Sequence, residues 1–302
     1  MQPLIVCDLF AGGGGYTAGA AQAGANVVLA VEADRDIARV HAANFPDHEV
    51  RVQTLGDNDD LEALAAELAS RDRQLHLHGS PPCVRLSQVN QTNRDAEEGL
   101  RLVRWYLDLV ERVRPRTFSM EQVPHPALKA LLHERGIAFT VVDAIDYGVP
   151  QHRKRLIAGS PRIVAALEER RGSGPTVLPK DVLASLQPAD RFMLVNGTTN
   201  QPIKVRDANG VRVTRGYRRM GDGEGGRDLH TPSHAVWSKP GRVYDAVSGQ
   251  VVRRLTPSEC ALLQGCPVGF KLDERSVARS YKIVGNMIPP PLARCIVEAA
   301  SC

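Results

Sequence analysis

The residues of this chain that are best suited to covalent chemistry lie in the segment GSPPCVRLS, where Cys83 directly follows two prolines. Proline fixes the backbone φ angle and removes a hydrogen-bond donor, so Pro81 and Pro82 predict a stiff loop that holds the thiol in one direction. A thiol on such a loop is a candidate nucleophile if its thiolate is stabilised. A buried, unreactive cysteine is the alternative that this segment alone leaves open.

A second candidate is a glycine-rich turn at residues 12–15, which follows the apolar run LIVCDLF. A helix-prone stretch at 17–25 and a second apolar run, NVVLAVEAD with Glu32, come next. Strand, glycine turn, helix, strand and acidic residue is the order that opens a nucleotide-binding βαβ unit. The GxGxxG fingerprint is not met, but glycine lets the backbone approach a ligand closely, and Glu32 can accept hydrogen bonds from ribose hydroxyls. A glycine turn without a ligand stays open as the alternative.

The elements that must position these groups alternate between strands and helices over about 160 residues. This alternation predicts an α/β fold with a doubly wound, mostly parallel sheet. Ligands in such sheets bind beyond the carboxyl ends of the strands. Residues 12–15, 80–83 and 121–123 each follow a predicted strand directly, so we expect them to converge on one cleft.

The composition changes in the second half of the chain. Residues 172–250 are rich in Gly, Pro, Asn, Thr and Arg and show short β-type runs without helical periodicity, which predicts a small loop-rich domain. A helical pattern returns in LTPSECALLQG, where Thr256 or Ser258 would cap the helix, and again at 290–300. We therefore predict two domains, a catalytic body of 1–160 with 251–302 and a variable domain of 161–250.

The overall composition excludes several classes of protein. Of 302 residues, 43% are hydrophobic and 24% are charged, which is ordinary for a soluble globular protein and excludes collagen-like, coiled-coil and disordered chains. The net charge of +4 does not by itself identify a nucleic-acid binder. Its distribution says more, because residues 161–250 hold 14 Lys and Arg against 9 Asp and Glu.

Cysteine and histidine spacing predicts no metal site. The six cysteines form no CxxC pair, and the nine histidines, among them the alternating His76 and His78, show no zinc-ligand spacing. The N-terminal residues lack the features of a signal peptide, and no apolar run reaches the roughly 18 residues of a membrane span. We therefore expect a cytoplasmic protein with reduced thiols.

Six segments follow one another in a fixed order: DLFAGGGG (8–15), GSPPC (79–83), MEQV (120–123), YGVPQHRKR (147–155), RRLTPSECALLQGCP (253–267) and VGNMIPPPLA (284–293). This ordered set resembles the motifs of the DNA cytosine 5-methyltransferases, which use S-adenosylmethionine. Six motifs in the same order are far more specific than one. The resemblance covers nearly the whole chain except about 160–250.

The resemblance implies a catalytic mechanism and assigns residues to it. Cys83 would add to carbon 6 of a flipped cytosine, so that carbon 5 becomes nucleophilic and takes the methyl group. Glu121, at the position of the family's catalytic glutamate, would bind ring nitrogen 3 and the exocyclic amine. Arg153 and Arg155 would hold the 2-keto oxygen. Ser87, four residues after Cys83, would contact DNA.

The resemblance also implies an S-adenosylmethionine site and no metal. The first-motif residues would surround the methionine moiety, Glu32 would bind the ribose, and Asp57 would bind the adenine amine. A residue of the cysteine loop and an asparagine of the last motif would complete the pocket. The implied cofactor residues are Phe10, Gly12, Gly14, Glu32, Asp57, Pro81 and Asn286.

Four residues depart from the family's usual pattern. Val84 follows the cysteine where the family usually has glutamine, and Gln122 follows the glutamate where the family has asparagine. Ala33 and Cys266 replace frequent aromatic residues. Val84 and Gln122 border the catalytic groups, so an altered rate or altered handling of substrate stays open.

Double-stranded DNA is the expected partner, and a monomer is the expected state because one base is modified per binding event. The basic residues implied in DNA contact are Lys204, Arg206, Arg215, Arg218 and Arg219, with Tyr217 between them. Three alternatives stay open: the same chemistry on RNA, the same chemistry on a free cytosine nucleotide, and a silent DNA-binding protein. The recognition sequence and a restriction-modification, orphan or phage role cannot be read from these residues.

Overall fold

The structure is a computed structural model, and it describes residues 3–70, 74–82, 96–186, 192–195, 202–206, 212–217, 227–228, 233, 241–245 and 251–302. Cys83, Ser87, Arg218 and Arg219 lie outside the described residues. What the sequence predicts for these four residues therefore stays a prediction.

A central sheet of seven strands organises the described part of the chain. Its strands are β1 (Ile5–Leu9), β2 (Asn26–Glu32), β3 (Val50–Val52), β4 (Leu75–Gly79), β5 (Thr117–Gln122), β6 (Ala138–Asp143) and β7 (Lys154–Gly159). They lie in the order β3-β2-β1-β4-β5-β7-β6. The pairs among β1 to β5 are parallel, whereas β7 runs antiparallel to both of its neighbours. The predicted α/β fold with a mostly parallel sheet is confirmed.

Helices cover both faces of this sheet. They are α1 (Gly15–Gln22), α2 (Arg35–Asn44), α3 (Asn58–Ala69), α4 (Ala96–Val113), α5 (Pro126–Glu134), α6 (Pro161–Glu169), α7 (Pro179–Val182), α8 (Pro257–Leu263), α9 (Val277–Asn286) and α10 (Pro290–Ser301). Leucines of α3, α4 and α5 pack on one face, and α1, α6 and α10 pack on the other. Full burial of a leucine contributes about 1.5–3 kcal/mol, so each layer is stabilised mainly by its apolar contacts.

The C-terminal segment returns to the start of the chain, and α10 packs on α1. A Cβ atom on Gly19 of α1 would lie 2.4 Å from the carbonyl oxygen of Pro290, so only glycine fits at this crossing. The predicted helix start at Thr256 is confirmed, because Thr256 Oγ1 accepts from Glu259 N and Glu259 Oε2 accepts from Thr256 N. This capping box begins α8.

Two smaller sheets are formed by strands from the predicted loop-rich region, 172–250, and from the residues directly after it. The strands β8 (Phe192–Val195), β11 (Arg227–Asp228), β12 (Arg242–Asp245) and β13 (Val251–Arg254) form one sheet, and β9 (Pro202–Arg206) and β10 (Arg212–Tyr217) form an antiparallel ribbon. Ile163 and Leu167 of α6 pack in the same core cluster as Ile296 of α10. Residues 161–169 therefore belong to the packing of the central sheet, and the division into two domains stays a prediction.

Candidate active site

The carboxyl ends of β1, β4 and β5 meet at one edge of the central sheet. Ser80 N donates to Leu9 O (3.1 Å), which joins the residue after β4 to the end of β1. Gln122 Nε2, at the end of β5, donates to Pro81 O (3.0 Å). The segment that leads to Cys83 is thus held from both neighbouring strands.

Gln122 is the residue that departs from the family's asparagine, and its side chain is fully engaged. It is buried, and besides its bond to Pro81 its Oε1 accepts from Val123 N (2.7 Å). The amide of Gln122 therefore bonds to backbone at both of its ends, at Pro81 after β4 and at Val123 after β5. The departure keeps a polar side chain that reaches the segment before Cys83.

Glu121 and Arg155 form an ion pair at this edge, with Oε1 and Nε 2.7 Å apart. Glu121 lies on β5 and Arg155 on β7, and both side chains are mostly buried. Antiparallel pairing of β5 with β7 brings the ends of the two strands together. Because both side chains are mostly shielded from water, solvent screens the attraction between the two charges less than it would at an exposed site.

Arg153 lies just before β7 and makes different contacts from Arg155. Its Nη2 donates to Gly285 O (2.9 Å) and Met287 O (3.1 Å), and its backbone N donates to Asp143 Oδ1 (2.7 Å). Its side chain is among the largest that are fully buried. Arg153 therefore fixes the backbone on both sides of Asn286, and its contact with a base stays a prediction.

The glycine turn joins the end of β1 to the acidic end of β2. Gly12 N donates to Glu32 Oε2 (2.9 Å), and Asp34 N donates to Glu32 Oε1 (2.8 Å). Gly12 has a φ of 55°, and a Cβ there would meet no atom of the described residues within 4 Å. Within the described part of the chain, the space above this turn is therefore open and lies next to a carboxylate.

The other three glycines of the turn are required for packing. A Cβ on Gly13 would lie 2.4 Å from Ile283, and one on Gly15 would lie 2.0 Å from Met287. Gly14 has a φ of 94° and precedes α1, and a Cβ there would lie 2.6 Å from the ring of Phe45. Of these four glycines, only Gly12 meets no other described residue, so a side chain at the other three would displace the segment that carries Asn286 or Phe45 at the end of α2.

Phe10 and Asp57 are joined by Trp105, which the sequence analysis did not select. Phe10 has the unusual φ of 56°, and its ring meets the Trp105 ring edge to face with centroids 6.0 Å apart. Trp105 Nε1 also donates to Asp57 O (2.7 Å), while Asp57 Oδ1 caps α3 by accepting from Asp60 N. Trp105 is one of two tryptophans in the chain, and that rarity is the signal that could have selected it.

His41 is a second residue that sequence reasoning missed. Its Nδ1 donates to Gly12 O (3.1 Å), so it supports the glycine turn from α2. Burial lowers the pKa of His41 to about 4, and the imidazole is therefore neutral at physiological pH. The helix α2 was not predicted, and its histidine carried no motif.

These residues fit an adenosine-containing methyl donor. The open space above Gly12 lies beside the half-buried Glu32, whose carboxylate stands at the carboxyl end of β2. A carboxylate at the end of the second strand is suited to ribose hydroxyls. Asn286 is exposed at the end of α9, next to the residues that Arg153 holds.

The basic ribbon of β9 and β10 contains three of the residues predicted to contact DNA, namely Lys204, Arg206 and Arg215. Their backbones lie in described strands, and the register pairs Arg206 with Arg212 and Lys204 with Thr214. Outside the ribbon, His152 N donates to Ser233 O (2.8 Å). This bond ties the segment containing Arg153 to the region predicted to be the variable domain.

No group of three or more His, Cys, Asp or Glu within the described ranges could hold a metal ion. Among the helices that the structure describes, none is both long and apolar enough to cross a membrane.

Comparison with known proteins places these features in context. The family profile for C-5 cytosine-specific DNA methylase matches residues 4–171 and 185–302. The type II methyltransferase M1.HphI of Haemophilus parahaemolyticus is 26% identical over 337 residues, which cover 98% of this chain and 86% of the relative. The type II methyltransferase M.MthTI of Methanothermobacter thermautotrophicus is 26% identical, with 96% and 94% covered.

Solved structures share the fold at low sequence identity. A prophage-encoded protein of E. coli has a TM-score of 0.67 at 20% identity, with 98% of each chain covered. The Dnmt2 methyltransferase of S. pombe has a TM-score of 0.62 at 14% identity, again with 98% of each chain covered.

Proposed function

This chain belongs to the C-5 cytosine-specific DNA methylase family, and we propose that it methylates carbon 5 of a cytosine flipped out of duplex DNA, through a covalent bond from Cys83. The Glu121–Arg155 ion pair carries this proposal. It lies at the sheet edge where the segment that leads to Cys83 begins. A carboxylate and a guanidinium there are the groups that a cytosine ring needs for activation.

Carbon 5 of cytosine is a weak nucleophile, so the ring must be activated first. The Cys83 thiolate bonds to carbon 6, the electron pair of the 5,6 double bond shifts between carbons 5 and 4, and that of the double bond from carbon 4 to nitrogen 3 shifts onto the nitrogen, which leaves carbon 5 as an enamine-type nucleophile. Glu121 holds a proton at ring nitrogen 3 and so stabilises the charge that develops during addition. After carbon 5 has gained its methyl group, a base takes the carbon 5 proton and the thiolate leaves.

The two arginines have separate roles in this proposal. Arg155 Nε faces the Glu121 carboxylate, so Arg155 is placed to orient the glutamate and to bind the 2-keto oxygen of the same ring. Arg153 Nη2 donates to backbone carbonyls on both sides of Asn286. We therefore assign Arg155 to the substrate and Arg153 to the shape of the C-terminal segment.

S-adenosylmethionine, when bound, supplies the electrophilic methyl group of its sulfonium. Glu32 would accept hydrogen bonds from the ribose, and the open backbone at Gly12 would allow close approach of the ligand. The other residues that would hold it are Phe10, Gly14, Asp57, Pro81 and Asn286.

DNA would bind along the basic ribbon. A two-stranded ribbon fits the major groove, and Lys and Arg side chains neutralise phosphates. We assign this role to Lys204, Arg206, Arg215, Arg218 and Arg219, with Ser87 on the catalytic loop. We further propose that residues 161–250, apart from the sheet-packing helix α6, supply target recognition, that the remaining residues supply chemistry, and that one copy suffices for one flipped base.

The proposal is tested by incubating the protein with labelled S-adenosylmethionine and duplex DNA, tRNA or dCMP in separate reactions. We expect 5-methylcytosine in the duplex DNA alone. Label only in RNA or in dCMP would replace this function by one of the alternatives, and no label in any reaction would favour a silent DNA-binding protein.

The nucleophile is tested with Cys83→Ala and the matched control Cys302→Ala, whose thiol is exposed at the end of α10. We expect Cys83→Ala to lose methyl transfer while S-adenosylmethionine still binds by calorimetry, and Cys302→Ala to keep both. DNA with 5-fluorocytosine at the target should trap a covalent complex through Cys83, because no proton can leave carbon 5. Full activity in Cys83→Ala would contradict the assignment.

A further inference from the structure

A chain of hydrogen-bonded side chains runs through the central sheet and ends beside the catalytic loop. Thr117 Oγ1 lies 2.8 Å from His76 Nδ1, and His76 Nε2 lies 3.0 Å from Ser119 Oγ. Ser119 Oγ lies 2.8 Å from His78 Nδ1, and His78 Nε2 lies 3.0 Å from Ser80 Oγ. All of these residues are fully buried except Ser80, which is half-buried.

The chain follows from the register of β4 and β5. Pairing sets His76 beside Thr117 and His78 beside Ser119, and the alternation of side chains along a strand keeps all four on one face. Burying two imidazoles and two hydroxyls is costly unless each finds a partner. This layer satisfies that requirement internally, and both ring nitrogens of each histidine are used.

In this series of hydrogen bonds, the position of the proton in one bond depends on its position in the next. Burial lowers the pKa of His76 to about 3 and that of His78 well below its usual value, so both rings are neutral. A neutral imidazole has one N–H donor and one acceptor nitrogen. His78 Nδ1 faces Ser119 and Nε2 faces Ser80. If Nδ1 carries the proton, Nε2 accepts from Ser80, and if it does not, Nε2 donates to Ser80.

His78 contacts three elements of the proposed active site. Its ring stacks on Tyr16, with centroids 3.5 Å apart and planes 2° apart, and Tyr16 lies in the first turn of α1 directly after the glycine turn. Its Nδ1 meets Ser119, two residues before Glu121 on β5. Its Nε2 meets Ser80, three residues before Cys83 in the sequence.

The segment before Cys83 is thereby held at two successive residues. His78 holds the Ser80 side chain from β4, and Gln122 Nε2 holds the Pro81 carbonyl from β5. Ser80 N also donates to Leu9 O at the end of β1. Because Pro81 and Pro82 have fixed φ angles, an orientation imposed at Ser80 is passed on along the chain.

We propose that His78 and Ser80 are positioning residues for methyl transfer, because His78 holds Ser80 and so aligns the start of the Cys83 loop with the glycine turn and Glu121. This inference rests on the proposed function, since it needs Cys83 to be the nucleophile. Neither residue touches the substrate in this scheme. Their effect is on the geometry in which the thiol reaches the base.

The test compares Ser80→Ala, His78→Asn, His78→Gln and the double variant Ser80→Ala/His78→Asn with the wild-type protein. Glutamine can place its amide nitrogen near the position of Nε2 and still reach Ser80, whereas asparagine matches Nδ1 and reaches only Ser119. Ser280→Ala is the matched control, because its buried hydroxyl donates to Asp273 O away from the sheet edge. Substrates are labelled S-adenosylmethionine and long unmethylated duplex DNA of mixed sequence.

Three quantities are measured for each protein: the single-turnover rate of methyl transfer, the Kd for S-adenosylmethionine by calorimetry, and the melting temperature. We expect Ser80→Ala and His78→Asn to lower the rate by about 10- to 100-fold with little change in Kd. His78→Gln should recover part of the rate, and the double variant should be no slower than the slower single variant, because the two residues act through one contact. Ser280→Ala should keep the wild-type rate.

The outcomes separate this inference from the proposed function. A wild-type protein that transfers no methyl group to DNA would overturn the proposed function. An active wild type with an unchanged rate in Ser80→Ala, equal rates in His78→Asn and His78→Gln, or multiplied losses in the double variant would overturn the positioning role alone. Nitrogen-15 NMR of labelled histidine gives a readout independent of turnover, since Ser80→Ala removes the partner of His78 Nε2 and should shift that resonance, whereas Ser280→Ala should leave it unchanged.

Discussion

The two faces of the central sheet are built from the same strands but differ in chemistry. One face presents apolar side chains such as Leu9, Leu77 and Met120 to the helices α3, α4 and α5. The opposite face also has an apolar cluster, with Val6 and Ile157 packed against residues of α1 and α10, but it presents Asp8, Glu121 and the histidine–hydroxyl chain as well. Along β5 the two kinds of residue alternate, so Met120 and Glu121 are neighbours in sequence that face opposite sides.

Because of this difference, the two faces are expected to contribute differently to the free energy of unfolding and to the rate of the reaction. Apolar contacts are not directional, so the first face is expected to tolerate small changes at a cost set by the volume removed. The polar face relies on specific partners, and a group that loses its partner stays buried and unsatisfied. We therefore expect variants on the apolar face to change the free energy of unfolding, and variants at the polar edge to change the rate of methyl transfer.

The largest effect is expected for Glu121→Gln. Glutamine has nearly the same shape but cannot carry the charge that pairs with Arg155 or deliver a proton to the ring. We expect the turnover rate per folded molecule to fall by about 100- to 10,000-fold, the range for general acid–base groups, and the free energy of unfolding to fall as well, because the mostly buried Arg155 loses its charged partner. Steady-state methyl transfer and urea unfolding measure the two quantities.

Glu298→Gln is the control for Glu121→Gln, because Glu298 is also ion-paired, with Arg170 and Arg294 on the far side of α10. It should keep the wild-type turnover rate. A Glu121→Gln protein that is as active as this control would remove the carboxylate from the mechanism. It would also weaken the distinction between the two faces.

On the apolar face, Leu77→Ala should lower the free energy of unfolding without lowering the turnover rate per folded molecule. Leu77 is fully buried, and its truncation leaves a cavity between β4 and the helices. We expect the free energy of unfolding to fall by about 2–5 kcal/mol, while the turnover rate per folded molecule stays near that of the wild type. Val268→Ala, at a residue that is 91% exposed, should change neither. A large loss of turnover in folded Leu77→Ala would show that the apolar face also sets the geometry of the site.

Local patterns predicted much of this fold. The apolar runs of β1, β2, β4 and β5 and the glycine turn between β1 and α1 are local signals, and the predicted elements lie within a few residues of the observed ones. The helix α2 was missed because only a narrow stripe of its RDIARVHAAN sequence is apolar. Its start depends on Asp34, whose side chain accepts from Asp36 N and Ile37 N.

The site was predicted in its parts but not in its contacts. The ordered motifs selected Glu121, Arg153 and Arg155 together, yet spacing alone could not tell which arginine meets the glutamate. That depends on Gly285 and Met287, which are distant in sequence and accept hydrogen bonds from Arg153. Contacts between distant segments carry no local signal, so such roles become visible only after the chain has folded.

A further expected effect is a pH dependence that belongs to the polar face. Asp8 is fully buried, Oδ2 accepts from Thr17 Oγ1 (3.0 Å), and Oδ1 has no hydrogen-bond partner among the described residues. Burial raises the pKa of Asp8 to about 7, and the negative charge of Glu32 adds to this. His78 is its cross-strand neighbour.

The sign of the effect follows from proton binding. Between about pH 4 and about pH 7 the folded protein holds the Asp8 proton and the unfolded chain does not, so this group destabilises the fold increasingly as pH rises. The contribution is at most about 1.4 kcal/mol per pH unit and is constant above about pH 7. Asp8→Asn removes it, so the free energy of unfolding of Asp8→Asn relative to wild type should rise from pH 5 to pH 7 and then level off. Urea unfolding at pH 5, 6, 7 and 8 measures this difference.

Leu77→Ala is the control for this titration, since it removes no ionisable group. Its difference from wild type should be the same at each pH, whereas that of Asp8→Asn should change. Thr17→Val tests the cause, because loss of the hydroxyl that stabilises the Asp8 carboxylate should raise the Asp8 pKa further and extend the decline to higher pH. Parallel curves for Asp8→Asn and wild type would mean that the buried carboxyl keeps its usual affinity for protons. The polar face would then differ from the apolar face in its histidine–hydroxyl chain and at its edge, where Glu121 meets Arg155.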